Sequence, residues 1–250
     1  MAPASNNAVT EGNDAVWATI TAQSRYGNYT QISAKWFKIS DTLETHDKYG
    51  RKSEIAYQTG LKLKELAKDM EYALINNAVA TSTDPRSTKG LKGWISTCIN
   101  FTTGTSSTTL TEARFNDELQ RAWSRGGNPD MVITPAKSKR TISTFDALDR
   151  LTVNVPADTK KVINAVDYYQ SDFGLVKVYL NRHIATDDDT NYESIFILEK
   201  NKWALGTLKP VTTEKLAKTG LAQGIQISTE YGLISRAETA SGRIKNIYNG

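Results

Sequence analysis

Cys98, His46 and His183 are the residues whose types could do nucleophilic or metal chemistry, and they are few: one cysteine and two histidines in 250 residues. A thiolate and an imidazole make a nucleophile pair in principle, but their spacing here matches no local signature of such a pair. A single cysteine excludes an intrachain disulfide and a cysteine-based zinc site. Asp187, Asp189 and Asn191 have the spacing of the first three ligands of a calcium loop. Tyr192 then stands where that loop needs its glycine, and Leu198 where it needs its last carboxylate, so the stretch reads as a solvated acidic loop. The chain holds no GxxxxGK[ST] or GxGxxG phosphate loop and no GxSxG nucleophile elbow. Asn28-Tyr29-Thr30 and Asn100-Phe101-Thr102 are glycosylation sequons by pattern, of consequence only on a secretory route. The residues read as those of a protein that is not an enzyme and needs no cofactor or metal.

The elements around them explain more. At 39% hydrophobic and 23% charged the chain has the composition of a folded globular protein, long enough for one large domain or two small ones. MAPASNNAVTEGND has neither the basic start nor the apolar core of a signal peptide. No apolar run approaches the roughly 18 residues of a membrane span. A net charge of +4 without a like-charged block is not the footprint of a dedicated DNA reader.

The longest clean pattern runs from Arg51 to Asn77. Leu63, Leu66, Ala67, Met70 and Leu74 recur at helical spacing, with Lys62, Lys64, Glu65, Lys68, Asp69 and Glu71 largely on the other sides. A helix of that length would run roughly 40 Å, with Gly60 its one weak interior position. Ahead of it, residues 24–40 alternate, but neither side is cleanly apolar, which predicts a long strand in a hairpin projecting from the body or an exposed sheet edge. Residues 78–90 read as a loop. Thr109 with Glu112 has capping-box spacing and opens a helix carrying Phe115, Leu119, Ala122 and Trp123, stopped by Gly126-Gly127. MVIT then forms a short buried strand, Pro135 leads a helix over 136–147, and strands follow at KVINAVDYYQ and GLVKVYLNRHI, joined by a Ser171–Gly174 turn. Further strands are expected at 193–199, 202–210 and 225–236, with a short RIKNIY at the end.

GNYTQISAKWFKIS followed by GRKSEIAYQTGLKLKELAKDMEYALINN resembles the major capsid proteins of tailed double-stranded DNA phages, in the group typified by the major head protein of phage SU10. GLKGWIST, GGNPDMVITP, VDYYQSDFGLVKVYLNR and LKPVTTEKLAKTG follow in the same order, so the resemblance spans essentially the whole chain. It implies an α+β chain of the HK97-like capsid fold: an extended β-hairpin (the E-loop) over 1–45, a peripheral domain over 46–105 with a spine helix at 51–77, an α/β axial domain core over 106–190, and long antiparallel strands of 191–250 returning to the peripheral domain.

The function implied is structural. Copies would assemble as pentamers and hexamers into the icosahedral head, in the host cytoplasm and then in the virion, around double-stranded DNA held without sequence specificity. Portal, scaffold or decoration proteins are further partners, and no membrane is. Arg25, Tyr29, Lys35, Trp36 and Lys38, on the mixed-polarity strand, are the expected intersubunit contacts. Some shells of this class join a hairpin lysine covalently to a neighbour's asparagine, and the stretch here contains lysine. Members of the group usually carry some tens of residues ahead of the point matching Met1, either removed by a maturation protease or lying outside this numbering. An encapsulin-type compartment shares the fold and is the alternative. A soluble enzyme or small-molecule binder is the more distant one, and would show a concave site with convergent polar groups.

Overall fold

The computed structural model describes residues 6, 8–15, 17, 19–20, 26–46, 49–100, 109–145, 168–186, 192–218 and 220–248. The architecture is built around β6 (Tyr192–Leu198), whose YESIFIL sequence lacks the polar alternation of a one-sided strand and is buried on both faces from Ser194 onward. β6 lies between β9 (Gly242–Tyr248) and β3 (Met131–Thr134), both antiparallel to it, in a six-stranded sheet. That sheet is completed by β5 (Gly174–Leu180), β4 (Tyr168–Ser171) and the two-residue β2 (Ile99–Asn100), in the order β2-β9-β6-β3-β5-β4.

Ile195 and Ile197 of β6 point into one core with Val132, Val176, Val178, Ile244 and Ile247. Two helices cover that face. α4 (Glu112–Ser124) contributes Phe115 and Leu119, and α5 (Ala136–Ile142) contributes Ile142. Phe115 meets Tyr169 edge-on at 5.1 Å between ring centroids, a favoured aromatic geometry. Burial and the Glu112 carboxylate, which accepts the tyrosine hydroxyl at 2.9 Å, push the Tyr169 phenol up to about 12. The N-cap of α4 is Thr111, which accepts from Arg114 N–H, so the Thr109–Glu112 capping box is not used and Glu112 is free to hold Tyr169. The expected Gly126-Gly127 stop is observed, with Gly126 at φ +85° and the N–H of Gly127 donating to Ala122. Residues 146–147 of the helix expected over 136–147, and residues 161–167 of the strand expected at KVINAVDYYQ, lie outside the described residues.

Phe196 and Leu198, the alternate residues of β6, point into a second core with Ile75, Leu91, Trp94, Ile95 and Leu233. Ile75 belongs to α2 (Glu54–Asn76), the long helix read from the sequence, which at 23 residues runs roughly 35 Å. Its start lies at Ser53, which caps Ala56 N–H at 3.2 Å. Glu44, on the short α1 (Asp41–Thr45), caps it again by accepting from the N–H of Glu54 and Ile55 and from the Ser53 hydroxyl. Of the five residues expected on its apolar face, Leu66 is buried and Leu74 packs on the second core, whereas Leu63 and Ala67 are exposed. Leu91 and Trp94 come from the single-turn α3 (Leu91–Trp94).

Beside α2 stands a three-stranded antiparallel sheet, β1-β8-β7, of β1 (Gln31–Ser40), β7 (Trp203–Lys215) and β8 (Ala222–Ser235). Two expectations change here. β1 pairs with β8 from Gln31↔Tyr231 to Ser40↔Ala222, so the mixed-polarity strand is the edge of this sheet, and the described residues before it contain no strand to form the hairpin expected over 1–45. The stretch 191–250 divides: β6 and β9 join the six-stranded sheet, while β7 and β8 form the long hairpin near α2.

One charge in the first core is out of place. Glu118 on α4 is fully buried, with Arg121 3.8 Å away, and Gly242 of β9 passes so close that a Cβ there would sit 2.5 Å from the carboxylate. Burial raises the Glu118 carboxyl to about 7. A carboxyl that binds its proton more tightly folded than unfolded loses stability as pH rises from the ordinary value to the raised one. Stability is therefore expected to fall between pH 4.5 and about 7, by up to about 3 kcal/mol. Glu118→Gln removes that dependence: thermal melts of the variant and parent chains converge near pH 4, and the variant melts higher at pH 8.

Candidate intersubunit surface

The two faces of β1 differ. Gln31, Ser33, Lys35, Phe37 and Ile39 alternate onto one side, where Lys35 pairs with Asp69 of α2 at 2.6 Å and the Ser33 hydroxyl lies 3.1 Å from the Tyr231 hydroxyl. The hydrogen bond to Asp69, helped by its charge and that of Glu65, holds the Lys35 ammonium above the usual lysine value against the desolvation that lowers it. Both partners are partly solvated, so the pair contributes no more than about 1 kcal/mol. Ile32, Ala34, Trp36 and Lys38 alternate onto the other side, where Trp36 is 70% exposed.

Of the five expected contact residues, the structure therefore brings Trp36 and Lys38 together on the outward face of β1 and turns Lys35 inward onto α2. Tyr29 is half-exposed just before the strand, its N–H donating to the Asn28 side-chain oxygen at 2.9 Å. Arg25 lies outside the described residues. Asn28 is held by its amide, which donates to the Thr88 hydroxyl and to the Lys89 and Leu233 carbonyls. His183 lies 3.9 Å from Glu71, and Cys98 is buried with its thiol raised by that burial. Asp187, Asp189 and Asn191 fall outside the described residues.

The larger exposed feature is one that pattern reading missed. From Thr207 to Lys215 every residue of β7 is exposed except Thr212. A strand open on both faces and paired along one edge only has little reason to hold in water alone. Its apolar residues, Leu205, Leu208 and Val211, are continued past the strand by Leu216 and Leu221, all exposed. The strand expected at 202–210 ends on Pro210, a residue that cannot donate to a ladder. The strand runs on because β7 is an edge, where proline is tolerated, and its register to β8 shifts just before the proline, between Thr207 and Lys209, and again across it, between Lys209 and Thr212. Lys209, Pro210 and the shifts guard the outer edge against indiscriminate strand addition. The hairpin end is fastened to its own chain by Lys218–Asp41 at 2.5 Å and by Asp41 N–H donating to the Leu221 carbonyl.

No described helix is long and apolar enough to cross a membrane, and no group of three or more His, Cys, Asp or Glu side chains among the described residues is placed to hold a metal ion.

Comparison with known proteins bears on what covers this surface. The family described as SU10 major capsid protein matches residues 1–248. The major capsid protein of Escherichia phage Phieco32 is 25% identical over 288 residues, covering 95% of this chain and 80% of that one. Among solved structures, the capsid of cyanophage A-1(L) has a TM-score of 0.62 at 12% identity, over 87% of this chain and 77% of that one. The SrpI encapsulin of Synechococcus elongatus also has a TM-score of 0.62 at 12% identity, over 88% and 74%. Those two likenesses establish the HK97-like fold and, being equal, do not separate a phage shell from an encapsulin.

Leu208 is 69% exposed, so Leu208→Asp is expected to change the melting of the unassembled chain by less than about 0.5 kcal/mol. The same change weakens association between copies at least tenfold, or about 1.4 kcal/mol. Circular dichroism melts paired with sedimentation of the assembled fraction measure both quantities; unchanged association would exclude β7 from the contact.

Proposed function

The chain belongs to the SU10 major capsid protein family, and from that premise we propose that its copies close as pentamers and hexamers into an icosahedral shell around packaged double-stranded DNA. As a phage major capsid protein it is a component of the virion and assembles with other copies of itself. The role is mechanical rather than catalytic. The observation that carries the assembly reading is β7, whose two exposed faces need another chain to cover them.

Around each ring the same two patches meet head to tail, and the rotation closes the contact. Strength comes from the number of joints rather than from any one of them, since each joint of standard size buries about 1,600 Å². Tyr29, Trp36 and Lys38 contribute to the joint from the outward side of β1, with Arg25 in the stretch leading to it. Lys35 acts from behind by keeping β1 on α2 through Asp69. In domain terms, the stretch of 1–45 that precedes β1 lies over a neighbour, and α2 with β1, β7 and β8 forms the peripheral body. The axial body consists of the 106–190 core together with β6 and β9. DNA inside is held through its phosphates, which is sequence-independent and salt-dependent. Portal, scaffold and decoration proteins are the further partners. An encapsulin-type compartment is the second reading, favoured by the shared fold and disfavoured by the family match.

Sedimentation and negative-stain imaging of protein from its native source test the reading. A multi-megadalton icosahedral particle containing nucleic acid is the expected result; an empty or enzyme-filled shell would favour the encapsulin, and a species near 27.6 kDa would overturn assembly altogether. Within such particles, Trp36→Ala and Lys38→Glu are expected to lower yield and heat resistance, and a parent-like particle from both would remove them from the joint.

A further inference from the structure

α4 packs against β2, β9 and the tight turn Glu238–Ala240, and Glu118 is the charged side chain it buries at that junction. Neither carboxylate oxygen has a hydrogen-bond partner, and Oε1 lies against the backbone of Gly242. A buried carboxylate without donors is costly to ionise, so the position favours the neutral acid until a counter-charge reaches it.

One guanidinium nitrogen stands between two acceptors. Arg121, one helical turn on, donates through Nη1 to the Ile99 carbonyl at 3.2 Å, and the same nitrogen lies 3.8 Å from Oε2 of Glu118. The first is a hydrogen bond and the second is not. A shift of about 1 Å reverses that, bringing Nη1 into charge-assisted range of an ionised carboxylate. The Arg121 side chain is 53% exposed and has room for such a shift. Ile99 lies on β2, a two-residue edge strand paired on one side only, with β9. So short a strand has few ladder bonds, and the Arg121 bond ties it to α4.

The other charges at the junction are engaged elsewhere or act more weakly. Burial, the largest effect, raises the Glu118 carboxyl to about 7; Arg121, the Arg243 N–H and Arg125 lower it in that order, and Asp117 raises it. From β9, the Arg243 N–H donates to the Cys98 carbonyl at 2.9 Å, and the Arg243 guanidinium is bonded to the Ser194 hydroxyl and the Lys92 carbonyl. Lys245 alternates onto the same side of β9 as Arg243, away from Gly242 and Ile244. From the turn, Glu238 accepts from the N–H groups of Ser96 and Thr97 and from the Thr97 hydroxyl. Burial raises the Cys98 thiol, which keeps it neutral.

We propose that Glu118 and Arg121 form a proton-operated clasp on the edge of the six-stranded sheet. With Glu118 neutral, Arg121 holds β2 to α4 through the Ile99 carbonyl. When Glu118 gives up its proton to solvent, the guanidinium turns to the carboxylate and lets the Ile99 carbonyl go. The clasp is therefore closed at a pH below the raised Glu118 value and open above it.

The carbonyl carbon of Ile99, followed by nuclear magnetic resonance on the unassembled chain through a pH titration, tests the clasp. Its resonance is expected to move upfield, as for a lost hydrogen bond, with a midpoint near the raised Glu118 value of about 7. Glu118→Gln is expected to hold the resonance at the low-pH position throughout. Arg121→Ala is expected to leave it at the high-pH position throughout. An Ile99 resonance that does not titrate in the parent would overturn the proposal, as would one that still titrates in Glu118→Gln. Should Glu118→Gln fail to fold, Arg121→Ala decides, because that side chain is half-exposed: an Ile99 resonance at the parent's low-pH position overturns the clasp, and one at the high-pH position supports it.

Discussion

Everything in this molecule depends on a seven-residue strand having no wet side. β6 sends Ile195 and Ile197 into the core under α4 and α5, and Phe196 and Leu198 into the core that holds α2 and α3. Because successive side chains on a strand point to opposite faces, one short run of apolar residues cements two layers that would otherwise be separate bodies. β9 and β3 clamp its two edges. A register slip of one residue would exchange the two sets and misfit both cores. The Trp203 indole, donating to the Ser241 hydroxyl at 2.8 Å, adds a polar tie between the strand that leaves this region and the turn that returns to it.

From that centre outward the packing thins. The C-terminal half of α2 is fastened by apolar burial and by Asn76 and Asn77, whose amides bond to His183, Gln31 and Thr88. Its N-terminal half is held chiefly by the Glu44–Ser53 cap, and Tyr57, Leu61 and Leu63 remain exposed. The three-stranded sheet is anchored at its β8 centre, where Ile225, Ile227 and Tyr231 are buried, and is open along β7. A gradient of this kind, tight inside and under-covered at the rim, suits a subunit whose outer elements complete their packing only against neighbours. It also places apolar groups where a soluble monomer would expose few in so continuous a run.

Polar residues that confused the strand reading turn out to be occupied within the chain. β1 lacks a clean apolar face because Ser33 and Lys35 have partners on β8 and α2, namely Tyr231 and Asp69. Tyr231 is 198 residues from Ser33, and Asp69 lies on a separate helix, so no local pattern could reveal them. The strand expected to end at Pro210 runs on for a reason of the same kind. Whether a proline stops a strand depends on whether that strand has a neighbour on its N–H side, and neighbourhood is a tertiary fact.

Residue order alone determined the local pieces: the long helix and its Asn77 end, the α4 helix with its paired-glycine stop, the MVIT strand, the Ser171–Gly174 turn and the run of β6. Each is governed by spacing, capping or turn chemistry acting over a few residues. The order of motifs along the chain carried the family, because a sequence of segments is conveyed by the chain itself. Tertiary structure decided which strands became edges, that β1 joins β8, that β6 and β9 leave the company of β7 and β8, and that Gly206 faces Gly232. Those outcomes follow from pairings across 26 to about 200 residues, where many alternatives satisfy the local rules equally and only the simultaneous burial of both faces of β6 selects among them.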